Sequence, residues 1–225
     1  MTETAALTAE ERARFSLGSS TDAVYRMVAR ALADIGHVGG DLLDVGCGSG
    51  QLWESLRDRF DRYTGADIVA YDGFPPEGRF IAIDMDTGTI PTPDGSFDVV
   101  AAVETIEHVD GPRRFVRELA RQVKPGGWLV VTTPNQLSIH SLMSLLLRGY
   151  FGAFAEAPGL YPAHITALVE TDLLRIVREA GLVDARIRYS NRGRVTLTPW
   201  HWPPPFRGRR FSDNILVAAR RPLDL

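Results

Sequence analysis

The chain is poor in several residues that would direct its chemistry. Among 225 residues there is one cysteine, Cys47, and one lysine, Lys124. A single thiol cannot close an internal disulfide, so a reducing cytoplasm is the simple expectation. Lying on a glycine-rich loop, Cys47 reads as a small space-filler rather than a nucleophile. The scarcity of lysine beside many arginines reads as a compositional bias, not as chemistry. No apolar run approaches the roughly 18 residues of a membrane span. The first residues, with Glu3, Glu10 and Glu11, lack the basic start and apolar core of a secretory leader. The expectation is a cytoplasmic chain, with peripheral contact the one membrane role left open. There is no long basic tract, and the net charge of −3 weighs against extended nucleic-acid contact.

What is present suits an ordinary α/β protein. Hydrophobic residues at 44% can fill a sizeable core, and 225 residues fit one domain with some elaboration, 1–225. Charge is uneven: residues 181–225 hold nine arginines against Asp184, Asp213 and Asp224. A solvated surface accounts for this, and an anionic group near those arginines is the sharper alternative.

Periodicity predicts alternating strands and helices. Residues 8–36 read as two helices, the second carrying Val24, Met27, Val28, Ala31 and Ile35 at helical spacing. Strands are expected at 41–46, 62–67, 79–84, 97–103, 128–133, 184–189 and 214–219, and helices at 51–60, 111–122, 137–149 and 168–180. Pro75-Pro76 interrupts the second crossover, and Lys124-Pro-Gly-Gly127 reads as a turn. Such alternation requires a mostly parallel, doubly wound sheet. Residues 191–212 form an insertion rich in Trp, Pro and Arg, whose Trp200, Trp202 and Phe206 either wall a substrate pocket or cap the sheet edge.

The chemistry begins at Asp44-Val-Gly-Cys-Gly-Ser-Gly50, entered from Leu42-Leu43. Gly46, Gly48 and Gly50 permit positive φ and leave room for a ligand against the main chain. A dinucleotide fingerprint would place its third glycine at Gln51, one position later, which disfavours a nicotinamide-dependent oxidoreductase. Asp67 closes the second strand seventeen residues beyond Gly50, where a carboxylate can accept from both hydroxyls of a ribose. Asp84-Met-Asp-Thr-Gly-Thr-Ile-Pro91 resembles the adenine-contacting stretch of S-adenosylmethionine-dependent methyltransferases. That implies that Asp84 or Asp86 accepts from the adenine amino group, the strand end favouring Asp84, while Met85 offers the ring a polarizable face. Ser96-Phe97-Asp98 reads as an anchor for the fourth strand.

The glycine spacing with these later acids resembles the class I S-adenosylmethionine-dependent methyltransferases from Leu42 to Thr133, with a matching tail to Ala219. That resemblance implies a Rossmann-like, mostly parallel seven-stranded sheet with an antiparallel last strand. It also implies S-adenosylmethionine held by Asp44, Gly46, Cys47, Gly48, Gly50, Gln51, Asp67, Ile68, Asp84, Met85 and Glu104, with methyl transfer by in-line displacement.

Glu104-Thr-Ile-Glu107-His108 sets two carboxylates and an imidazole at i, i+3 and i+4, which converge if the stretch is helical. Such a set suits a hard divalent cation with an open position. The pattern is similar to ubiquinone-type O-methyltransferases and to RNA-terminal ribose methyltransferases, in which a later histidine completes a divalent-metal site. His164 is the better match and His140 the weaker. The metal set is then Glu104, Glu107, His108 and His164, with magnesium, manganese or zinc as the ion. The plainer reading has Glu104 and Glu107 bonding loop amides while His108 lines the pocket; for catalysis without a metal, His108 is the candidate general base, with Glu107 the other catalytic candidate. Residues 136–168 are expected to form an acceptor lid. Its apolar stretch, from Ile139 through Leu146 to Phe154, covers a pocket or touches a membrane surface where a lipidic acceptor is collected. The leading function is O-methylation of a phenolic or hydroxylated small molecule. An RNA ribose methyltransferase and a catalytically idle cofactor-binding module are the alternatives.

Overall fold

The computed structural model describes residues 18–37, 39–154, 164–196 and 198–223. Its framework is a seven-stranded sheet of order β3-β2-β1-β4-β5-β7-β6. The strands are β1 (Asp41–Val45), β2 (Arg62–Asp67), β3 (Arg79–Ala82), β4 (Phe97–Ala102), β5 (Val123–Pro134), β6 (Val183–Tyr189) and β7 (Asn214–Arg220). β7 runs antiparallel to both β5 and β6, and the other pairings are parallel. The helices are α1 (Asp22–Asp34), α2 (Gln51–Leu56), α3 (Pro112–Gln122), α4 (Ile139–Arg148) and α5 (Glu170–Glu179).

The near-continuous apolar strands follow from helices covering both faces, so that successive side chains are buried in turn above and below the sheet. Leu43, Val45, Val100, Leu129, Val131 and Val217 belong to the core with α3 and α5. Leu42, Val99, Val130 and Leu216 belong to the core with α1 and α2. The lone lysine is part of this frame: Lys124 Nζ donates to Asp98 at 2.7 Å, and the Asp41 amide donates to Asp98 at 2.8 Å. Asp98 ties β1, β4 and β5 together at the end of the sheet opposite the glycine loop.

Several element boundaries move. The expected 51–60 helix ends at Leu56 and tightens into a 3₁₀ turn over Arg57–Arg59. β3 stops at Ala82, so Asp84 lies two residues beyond it. Lys124-Pro-Gly-Gly127 does not precede β5 but interrupts it, with Gly126 at φ 79° and the β4 register slipping between Phe97 and Val99. The first of the two expected N-terminal helices falls largely outside the described residues. The 136–168 region is described only in part, residues 155–163 being outside. In the insertion, Trp202, Phe206 and Phe211 pack on one another with ring centroids 5.0–5.2 Å apart.

Candidate functional site

The strand order reverses direction between β1 and β4, and a crevice at the carboxyl ends of the strands is what such a switch point creates. A cavity of about 630 Å³ is lined there by loops after β1, β2, β3 and β4 and by Gly18–Thr21 and Tyr25. Of the expected cofactor residues, Asp44, Gly46, Cys47, Asp67, Ile68, Asp84, Met85 and Glu104 line it. Gly48, Gly50 and Gln51 do not.

The three glycines answer to a second constraint besides the one their spacing suggested. All have positive φ. A Cβ on Gly46 would run into the Thr105 side chain, one on Gly48 into the Gly18 carbonyl, and one on Gly50 into Pro75. The space is filled by the chain's own segments, which the glycines let close over the loop. The Ser49 amide, donating to the Gly18 carbonyl at 3.1 Å, fastens the N-terminal segment to the loop.

Asp67 accepts from the Gly48 amide at 2.9 Å and from the Ile68 amide at 2.7 Å. Its carboxylate therefore shapes the glycine loop while still facing the cavity, and burial raises its pKa. Asp44 is 2% exposed and accepts from the Tyr63 hydroxyl at 3.1 Å. Burial pushes its pKa up to about 7. Burial also pushes the Cys47 thiol up, which agrees with an inert space-filler. Asp84 accepts from the Asp86 amide and from the Thr87 hydroxyl, both at 2.9 Å, folding the turn that carries Met85. Asp86 is engaged by the Asp110 amide at 2.8 Å.

Among the described residues, five carboxylates line this cavity, Asp44, Asp67, Asp84, Asp86 and Glu104, and no lysine or arginine does. Carboxylates crowded into a partly dry site cost free energy unless a cation comes to meet them. A cavity of this kind selects against a pyrophosphate and in favour of a ligand that carries positive charge.

Beyond β4 the backbone is strained. Glu104 sits at φ 51°. It is held there by its amide donating to Thr132 Oγ1 at 2.9 Å, and by its carboxylate accepting from Thr132 at 2.8 Å and Asn214 at 2.6 Å. Strain of this sort persists only where the surroundings over-determine it. Burial raises the Glu104 pKa to about 7.

Ile106–His108 form a 3₁₀ turn, tighter than the expected α-helical spacing. Glu107 is fully buried, and neither carboxylate oxygen has a hydrogen-bond partner. Burial, with the Glu104 charge second, holds its pKa well above the carboxylate range. Its own carbonyl accepts from the Ile165 and Thr166 amides at 2.9 and 3.0 Å. Those two bonds clamp the distant 164–166 segment onto the turn and bring in His164. His164 Nε2 stands 3.8 Å from Glu107 Oε1, and its ring lies 4.8 Å from that of His108. His164 Nδ1 is 2.7 Å from the Ala153 carbonyl, which fixes the proton on Nδ1 and leaves the Nε2 lone pair facing Glu107 and His108. Burial lowers the His164 pKa just as it raises that of Glu107, so both shifts disfavour the charged forms of this pair.

Donor atoms of Glu107, His108 and His164 lie within 4.8 Å of one another. The expected fourth member, Glu104, is engaged by Thr132 and Asn214 instead and is not part of this group. His140 faces a different cavity on α4, with Arg194. The orphaned Glu107 oxygens and the carbonyl-oriented imidazole are donors of the kind a divalent cation accepts. Thr132, Thr105, Asn214, Tyr25 and the Gly18–Thr21 segment were not anticipated. Only the polar run before α1 carried any signal, that of a turn.

No residue of α4 lines the main cavity among the described residues, and neither do Trp200, Trp202 or Phe206. α4 buries Ser141 and Ser144 and exposes its leucines, Leu146 to 77% and Leu147 to 63%.

A family model described as a methyltransferase domain matches residues 20–186. The chain is 30% identical over 198 residues to a ubiquinone biosynthesis O-methyltransferase of Chromobacterium violaceum, covering 81% of this chain and 79% of that one. Among solved structures, an S-adenosylmethionine-dependent methyltransferase from Archaeoglobus fulgidus aligns with a TM-score of 0.60 at 16% identity, over 92% of this chain and 96% of that one. A Burkholderia thailandensis 1,6-didemethyltoxoflavin-N1-methyltransferase, solved with 1,6-didemethyltoxoflavin and S-adenosylhomocysteine, aligns with a TM-score of 0.57 at 16% identity, over 89% and 79% of the two chains.

Proposed function

The chain belongs to the class I S-adenosylmethionine-dependent methyltransferases, and from that premise we propose that it methylates a hydroxyl oxygen of a phenolic or related small molecule, with Glu107, His108 and His164 handling the acceptor. The observation that carries this reading is the pairing of an acidic cavity, with no lysine or arginine among its described lining residues, with a buried Glu107 that lacks a hydrogen-bond partner and stands beside the cavity-lining His164. The sulfonium and ammonium charges of the cofactor answer Asp44 and Glu104. Asp67 accepts from the ribose, and Asp84 and Met85 meet the adenine.

In the transfer, the sulfonium–methyl bond breaks as the acceptor oxygen–methyl bond forms, and the sulfur leaves with the electron pair as a neutral thioether. The acceptor proton must depart, because a phenol with a pKa near ~10 is a poor nucleophile when neutral. Holding sulfonium and oxygen in line is worth ~7–11 kcal/mol, and the strained, doubly anchored Glu104 contributes to that rigidity. The residues present fit a divalent ion held by Glu107, His108 and His164. Such an ion would supply Lewis acidity that lowers the acceptor's pKa. The Ala153 carbonyl then keeps the His164 ring from turning, and the Ile165 and Thr166 amides keep the segment seated.

A lipidic acceptor gathered at a membrane surface is the finer form of this proposal. It is supported by the inverted burial of α4, which leaves a contiguous set of leucines exposed where one core-facing stripe would have buried them. No helix among the described residues is long and apolar enough to cross a membrane.

The experiment is methyl transfer from labelled cofactor to a panel of quinols, catechols and simple phenols, with and without chelator. Product with phenolic acceptors, lost on chelation and restored by magnesium, manganese or zinc, is the expected result. Transfer that continues in chelator would instead assign the proton to His108. Failure with every hydroxylated acceptor, alongside intact cofactor binding, would overturn the acceptor class.

A further inference from the structure

A second cavity, of about 330 Å³, lies between α4 and the loop after β6. It is lined by His140, Met143, Ser144, Leu147 and Arg148 on the helix and by Arg194, Val195, Thr196, Thr198 and Pro199 opposite. Its polar lining is unusual. His140 Nδ1, Ser144 Oγ and Thr196 Oγ1 are all buried and all lack a hydrogen-bond partner. Buried polar groups are nearly always satisfied, and three orphans converging on one cavity point to a missing partner. The loop that carries Thr196 is itself well fixed. An antiparallel bridge joins Arg194 to His201, and the Val195 amide donates to the Trp200 carbonyl at 2.8 Å.

We propose that this cavity is a second ligand site, built for a phosphate monoester carried on a partly apolar molecule. Two guanidiniums, Arg148 and Arg194, stand at the cavity, and Asp213, 3.4 Å from Arg194 Nε, offsets one of them. With two hydroxyls and an imidazole, they supply more donors than the two oxygens of a carboxylate can use. The three terminal oxygens of a phosphate match them. Met143, Leu147, Val195 and Pro199 provide an apolar wall for the rest of the ligand. The burial of His140 and the nearby Arg194 hold its pKa below the ordinary value, a balance that an anion beside the ring would reverse. The site is separate from the acidic cavity, yet only one short segment away. The His140 ring stands beside Gly152, and the next residue, Ala153, holds His164 by its carbonyl.

The test is an NMR titration of the His140 imidazole with hexyl phosphate, inorganic phosphate and vesicles containing phosphatidic acid. Hexyl phosphate should raise the His140 pKa by about half a unit or more and should bind more tightly than inorganic phosphate. Arg148→Gln and Arg194→Gln, both at exposed side chains, should each weaken that binding by roughly tenfold. Ser144→Ala should weaken it too while raising the melting temperature of the free protein, because an unsatisfied buried hydroxyl is removed. A response to vesicles as well as to hexyl phosphate assigns the ligand to a lipid headgroup, and a response to hexyl phosphate alone assigns it to a soluble ester. An unmoved His140 at about 10 mM of each probe, or binding that survives the arginine and serine substitutions unchanged, overturns the site.

Discussion

The acids under β1 and β2 and the acid beyond β4 meet their surroundings in opposite ways. Asp67 is bonded to the Gly48 and Ile68 amides and Asp44 to the Tyr63 hydroxyl, so the cofactor side is a self-supporting cradle. Glu107 is buried more completely than either and has no partner for either oxygen. A satisfied acid holds a loop in shape whether or not a ligand is present, whereas an orphaned one has a cost that only a proton or a cation can relieve. On the proposed reading, the difference gives binding to the one group of acids and reactivity to the other.

Glu107→Ala and His164→Ala attack the reactive side and should have the largest effects, lowering methyl transfer by roughly 10²–10⁴-fold. Both variants should bind S-adenosylhomocysteine as the wild type does. Single-turnover rates beside binding isotherms check this, and a parallel loss of cofactor affinity would break the division. Asp67→Ala attacks the cradle. It strands two ribose hydroxyls and two loop amides, so S-adenosylhomocysteine binding should weaken by about 1–3 kcal/mol.

A third prediction turns on pH. Asp44 and Glu104 have pKa values raised to about 7 by burial. The native state therefore keeps protons that the unfolded chain has already lost, and stability falls as pH rises through that value. The window to follow is about pH 6.5 to 8, where Glu107, its pKa also raised by burial, adds to the fall and His140 and His164, both lowered, oppose it only near the acid end. Across it the melting temperature of the unliganded protein should drop, and Asp44→Asn should flatten the drop. The same window should see S-adenosylmethionine gain affinity relative to S-adenosylhomocysteine, which lacks the sulfonium charge. The smallest effect is expected at α4. Leu146→Ser with Leu147→Ser should reduce flotation with anionic liposomes and leave cofactor binding and stability nearly unchanged, since both side chains are exposed.

The two sides also differ in how far the sequence exposes them. The cradle is written in short, contiguous motifs, and the expected strands at 41–46 and 62–67 match β1 and β2 within a residue because buried parallel strands are apolar throughout. Even so, the spacing of Gly46, Gly48 and Gly50 conceals what they yield to: Thr105, Gly18 and Pro75 come from elsewhere in the chain. On the reactive side, Glu107 and His108 were visible as a pattern, but the 3₁₀ turn that separates them from Glu104 was not. The partners of Glu104, Thr132 and Asn214, reach it only through the β4–β5–β7 order, which no local pattern encodes. His164 was reachable only through the resemblance, since what seats it is a pair of backbone bonds to Glu107.

Calorimetric titration of S-adenosylhomocysteine into wild type, Asp67→Ala and Glu107→Ala tests the division most directly, because it needs no acceptor. The expected result is roughly tenfold or greater weakening in Asp67→Ala and an unchanged isotherm in Glu107→Ala. Equal affinity in all three, or a loss in Glu107→Ala as large as that in Asp67→Ala, would contradict it.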